Sequence, residues 1–312
     1  MVTPSSRPVW RSRTRPGATS TRSDSPGTTT VEGTTDRSRR SFGAVPVPIA
    51  AGQPPTPLER LLEHDRAAFA ILLILVPLAC WSWIVVMARD MYGPMTGASA
   101  WMMTLRGDAR HVLLLWVMWA VMMAGMMLPS ASPLLLLYGA AARRYGGDET
   151  GPRAWRRIYA LAAGYLVIWA LFSVGATAVQ HSLSTLLIVS PMMTLASQTA
   201  TAVTLALAGL YQLTPLKRAC LRACRSPLSF MMYRWRWGSI GAFRMGVEHG
   251  IYCVGCCWAL MLLLFAGGVM NLTVIVALTL LVALEKLLPI GAAAARVSGA
   301  ALIAAAAWMM LA

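Results

Sequence analysis

Of the 312 residues, 57% are hydrophobic and 12% charged, about half the charged share usual in soluble domains, which excludes a water-soluble globular protein. The net charge of +15 does not point to nucleic acid, because the basic residues sit in an N-terminal tail and in short segments between apolar runs. The apolar runs have the length of transmembrane helices and lack the alternation of a transmembrane barrel, so the expected fold is all-α: a polytopic helix bundle.

Residues 1–57 are rich in Ser, Thr, Arg, Pro and Gly. Such a segment cannot bury enough apolar surface to offset its ordering entropy, and it is expected to be a disordered cytoplasmic tail ahead of a bundle over 58–312. No apolar core of a secretory signal lies near the N-terminus. Seven spans are expected, at 67–88, 111–138, 158–180, 194–213, 246–270, 271–288 and 297–312. The second, 28 residues or about 42 Å, exceeds the hydrocarbon core, so a kink at Pro129 or Pro133, a tilt or a protruding end must absorb the excess. The fifth and sixth must meet in a very tight turn, and the seventh is short, which leaves six spans as the alternative. The apolar piece 182–193, with Pro191, reads as an outer interfacial or re-entrant segment. With the N-terminus inside, 24 Lys and Arg fall on cytoplasmic segments and 3 on outer ones, a split that supports both the span list and the orientation.

The strongest chemical feature opens the fifth span: Glu248-His249-Gly250-Ile251-Tyr252-Cys253-Val254-Gly255-Cys256-Cys257-Trp258. His249, Cys253 and Cys257 recur at i, i+4 and i+8, with Cys256 three after Cys253, so a helix stacks them along one side. These are soft ligands suited to Cu(I), with zinc also admitted. In span two, Met118, Met122 and Met126 form one stripe and Met123 and Met127 its neighbour; thioethers bind Cu(I) without deprotonation but also fill gaps between helices. In the basic segment between spans four and five, a short helix over 216–225 would put Cys220 and Cys224 on one face, with the surrounding arginines favouring thiolate. Counting inward from Arg244 puts Cys257 about 20 Å deep, so the methionines and the cysteine ladder are both expected near the middle of the membrane. The expected outer side carries Met91, Met95, Met102, Met103, His111, His181, Met192 and Met193, which sets methionine outside against cysteine inside. Glu285 and Lys286 end span six, where Lys286 can reach the inner interface with Glu285 paired beside it. No phosphate-binding loop, dinucleotide-binding glycine pattern or zincin helix occurs.

The strings AVMMAGMMLPSASP, LAAGYLVIWALF, LYQLTPLKRACLRACRSPL, GVEHGIYCVGCCWALMLLLFAGGVMN and LEKLLP stand here in order, over roughly 110–290. They resemble a bacterial family of uncharacterised, predicted metal-binding integral membrane proteins, sometimes labelled copper chaperones. The resemblance implies metal binding, copper first, by Cys253, Cys256, Cys257, Cys220, Cys224 and the methionine run; His249 is added by helical spacing alone.

The expected function is therefore to hold or relay a soft ion, Cu(I) before zinc, along a path from Met126 and Met127 to Cys257, Cys256, Cys253 and His249, then to Cys220 and Cys224, with Met122 and Met123 as further candidate ligands. This is binding and delivery rather than catalysis. The expected partners are the bilayer, the metal ion and a metal-donor or metal-acceptor protein, with no nucleic acid. Two alternatives stand beside it: a membrane thiol oxidoreductase using the C-x-x-C pair Cys253 and Cys256, and a non-catalytic assembly subunit whose small residues pack helices.

Overall fold

The computed structural model describes residues 57–93, 108–145, 152–186, 195 and 197–311. In chain order the helices are α1 (Pro57–Met91), α2 (Ala109–Tyr145), α3 (Pro152–Thr185), α4 (Gln198–Leu213), α5 (Pro215–Arg225), α6 (Pro227–Arg234), α7 (Gly238–Gly267), α8 (Leu272–Leu287) and α9 (Gly291–Leu311). The described residues contain no strand. The tail over 1–56, most of the piece 182–193, and Met95, Met102, Met103, Met192 and Met193 lie outside the described residues.

Local chemistry sets the boundaries. Pro57, Pro152, Pro215 and Pro227 each stand at the first helical position, where the missing N–H is no loss. Ser197, Thr214 and Asn271 accept hydrogen bonds from the first free amides of α4, α5 and α8. Gly268 ends α7 at φ 97°, a left-handed conformation suited to glycine, and the Asn271 amide donates back to its carbonyl at 3.0 Å. This is the tight turn that the sequence demands between its fifth and sixth apolar segments.

All seven expected apolar segments contain helix, but of two lengths. Among the described residues, five stretches are long and apolar enough to cross a bilayer: Leu73–Met91, Ala109–Ala142, Trp155–Thr185, Gly238–Gly267 and Gly291–Leu311. Helices α4 and α8 have 16 residues each, about 24 Å against a hydrocarbon core of about 30 Å. The 37 residues of α2 run as one helix through Pro129 and Pro133.

Helices α3 and α7 run parallel and nearly touch. A side chain on Gly164 would strike the Phe243 carbonyl, and one on Gly246 the Leu161 carbonyl. Helix α4 packs antiparallel to α9, with Gly209 against Gly299 and Gln198 donating to the Met309 carbonyl. The short helices α5 and α6 lie back along α7. Tyr211 meets Trp258 edge-on, Cys220 faces Gly255, Phe230 meets His249, and Arg236 pairs with Glu248. Buried residues form two clusters. The larger contains Met118, Met122, Met123, Met126, Met127, Tyr165 and the three cysteines of α7; the smaller contains Leu134, Tyr138, Ile158, Phe230 and Met245.

Candidate metal centre

Sulfur from three helices converges in the larger core. From α7, Cys253, Cys256 and Cys257 are each 1% exposed. From α2, the Met127 thioether lies 4.0 Å from the Cys257 thiol. From α5, Cys224 lies 3.9 Å from Cys256. Cys220 packs where Gly255 leaves room for it: a Cβ on that glycine would stand 2.9 Å from the Cys220 sulfur. The Cys253 carbonyl accepts from the thiols of both Cys256 and Cys257, at 3.0 and 2.9 Å, which turns them back toward Cys253. All six cysteines are free thiols; the sixth, Cys80 on α1, packs beside Gly125.

Two residues with no assigned role in the sequence reading complete the cluster. The Tyr165 hydroxyl from α3 donates to the Met127 carbonyl at 3.0 Å and stands 3.1 Å from the Cys253 sulfur. Ser130, three residues beyond Met127 on α2, stands 3.4 Å from the Lys286 ammonium. Nothing in the local sequence marked either, because their part depends on helices crossing at one level.

Lys286 does not reach out to an interface beside Glu285. Its ammonium points inward, 2.9 Å from the Cys253 sulfur and 3.9 Å from both Cys257 and Met127. Glu285 is held instead by Lys217 at 2.6 Å, with both side chains buried, and by the Gln212 amide at 2.8 Å. The cause is geometric. Helix α8 is short and antiparallel to α7, so its last turn comes level with Cys253 and not with the end of α7.

The cysteines lie about half-way along α7, yet level with the turn between α8 and α9, whose Leu288 and Pro289 carbonyls accept from Arg225. The charged helix α5 lies beside the thiols. Arginine there does not favour thiolate as expected: burial pushes the Cys220 thiol up, and contact with Cys253 and Cys256 does the same for Cys224. Helix α5 turns its cysteines onto α7 and leaves Arg218 and Arg222 exposed.

The remaining candidates divide. Met122, Met123 and Met126 are buried core beside Met127, whose thioether is the one at 4.0 Å from the Cys257 thiol. His249 is 4% exposed, its ring 5.3 Å from Phe230 and 5.9 Å from Tyr165, and its Nδ1 has no hydrogen-bond partner. Of the outer group, Met91 is buried core.

Among the described residues, no three His, Cys, Asp or Glu side chains are grouped to hold a metal ion by themselves. The donors that are built are sulfur pairs. The 3.9 Å between Cys224 and Cys256 is about the span of two sulfurs sharing an ion at bonds of about 2.3 Å. Such pairs, with a thioether at hand, fit a soft ion of low coordination number.

No curated protein matches this chain, and no solved structure matches it. The family model PpoB2, described as copper chaperone, matches residues 116–309, which takes in α3 to α8 whole together with Met127 and all five clustered cysteines. The chain belongs to the PpoB2 copper chaperone family.

Proposed function

We propose that this protein holds Cu(I) within a membrane helix bundle and passes it between sulfur pairs. Copper is the cargo. Cys253, Cys257 and Met127 form one station, Cys256 and Cys224 the next, and Cys220 the exit, with His249 offering its free Nδ1 nearby. The observation that carries this reading is the meeting of Met127, Cys224 and the α7 cysteines in one buried spot, from three helices far apart in sequence. Thiolate and thioether select Cu(I) over harder ions, and sulfurs close enough to share an ion let it move without being released. The bundle would cross a bacterial inner membrane seven times with the N-terminus in the cytoplasm, and α5 would face the protein that gives or takes the metal.

The test is bound copper per chain, by elemental analysis after anaerobic purification from copper-supplemented cells, with a Cu(I) chelator competing. The double variant Cys253→Ser/Cys257→Ser should lose affinity by orders of magnitude, because a protonated hydroxyl is a poor ligand for a soft ion. Met127→Leu keeps volume, so folding should survive while affinity weakens. Equal copper in all three proteins, or none in any, would refute the reading.

A second reading rests on Cys224 and Cys256. Their sulfurs need to close from 3.9 Å to about 2.05 Å to form a disulfide, with two electrons and two protons passing to an external thiol–disulfide partner. Acid-trapped thiol counts on protein from growing cells separate the two readings: a stable fraction of Cys224–Cys256 disulfide favours this one.

A further inference from the structure

Lys286 is a cation buried 6% exposed inside a proposed cation site, which at first sight works against it. Its neighbours make its charge specific. Around the ammonium stand Cys253 and Cys257 from α7, Met127 and Ser130 from α2, and Tyr165, which touches the same Cys253 sulfur, from α3. None of these contacts is a carboxylate. The adjacent Glu285 is engaged by Lys217 at 2.6 Å and by Gln212 at 2.8 Å. The counter-charge to Lys286 must therefore be sulfur.

We propose that Lys286 is the residue that selects a monovalent ion: its fixed positive charge, 2.9 Å from the Cys253 sulfur, completes a neutral buried set only with two thiolates and an ion of charge +1. The count is direct. Thiolates at Cys253 and Cys257 carry −2, Lys286 carries +1, and a monovalent ion brings the sum to zero. Held by these same two thiolates, a divalent ion leaves +1 buried, and an uncompensated buried charge is strongly disfavoured. The ammonium need not leave for the ion to bind, since a thiolate sulfur can accept an N–H and still coordinate a metal, and hydrogen bonds to ligating sulfur are a common means of tuning. This rests on the copper reading and adds to it a charge filter that is independent of ligand softness.

The test uses Ag(I) and Cd(II), soft, redox-inert and isoelectronic ions that differ by one charge. Purified wild-type protein and the variants Lys286→Gln, Lys286→Met and Lys286→Arg are equilibrated with each ion alone and with both together, and bound metal is counted per chain. Gln keeps an N–H donor without the charge, Met removes both, and Arg keeps the charge. In wild type and Lys286→Arg, Ag(I) should win. In Lys286→Gln and Lys286→Met the Ag(I)-to-Cd(II) ratio should fall by at least about tenfold. If Met fails to fold, Gln alone carries the comparison. An unchanged ratio in the neutral variants, with wild type still binding Ag(I), overturns the charge filter and leaves the copper reading standing. A fall of equal size in Lys286→Arg also overturns it, by showing shape and not charge at work. A wild-type protein that holds neither ion overturns the parent reading and this one with it.

Discussion

At His249 a buried ring nitrogen has no hydrogen-bond partner, and a buried polar atom left alone costs about 1–3 kcal/mol. If Nδ1 is a copper ligand, that cost is offset only when the ion is bound. His249→Phe should then raise the melting temperature of the copper-free protein and remove the rise that copper gives the wild type. Thermal shift in detergent, with and without Cu(I), reads both; a variant still stabilised by copper as the wild type is would place His249 in packing. At this scale the sequence was legible in residue type and spacing: His249, Cys253 and Cys257 do recur along one helix, and Cys220 with Cys224 do share a face of a short one. The inward turn of Lys286 was not legible. The direction of a lysine at a helix end depends on where that end stands among its neighbours, which its own sequence does not encode.

Helix α5 is fixed by a buried ion pair and not by an apolar stripe alone. Lys217 and Glu285 are 0% and 2% exposed, and Gln212 and Ser298 add hydrogen bonds that tie α4, α5, α8 and α9 together. Lys217→Met leaves Glu285 buried without its partner and should cost about 3–5 kcal/mol, seen as a large drop in melting temperature. The double variant Lys217→Met/Glu285→Leu should recover most of it, because removing both charges removes the desolvation penalty as well. Two equally unstable proteins would show that the pair contributes through geometry more than charge. The bounds of α4, α5 and α8 lie within four residues of those expected, whereas α1, α3, α7 and α9 begin 6 to 10 residues earlier than the apolar runs, because a helix continues past its apolar stretch wherever no proline or cap stops it. The level at which α4 and α8 stop was not readable, because only packing reveals that 16 residues reach half-way along a 30-residue neighbour.

For the whole molecule, the expected topology is checked by reporter fusions. Fusions after Gly147 and near Ser226 should report the cytoplasm and one near Ser184 the outer side; a periplasmic signal near Ser226 would put the thiols in an oxidising compartment and end the Cu(I) reading as proposed. The parallel course of α3 and α7 agrees with both helices entering from one side, two crossings apart. What the sequence could not foresee is how closely they run: with Gly164 and Gly246 facing backbone, no side chain separates them along that stretch. Two rods in backbone contact cannot slide or part without opening a void that nothing fills. Tyr165 and Cys253 stand just beyond this seam, so they share a rigid rail, and the Tyr165–Cys253 distance is fixed by it. On the proposed function, movement that admits or releases an ion would come from the other flank of α7, where α5 is a separate 11-residue helix with proline at its start and proline just past its end.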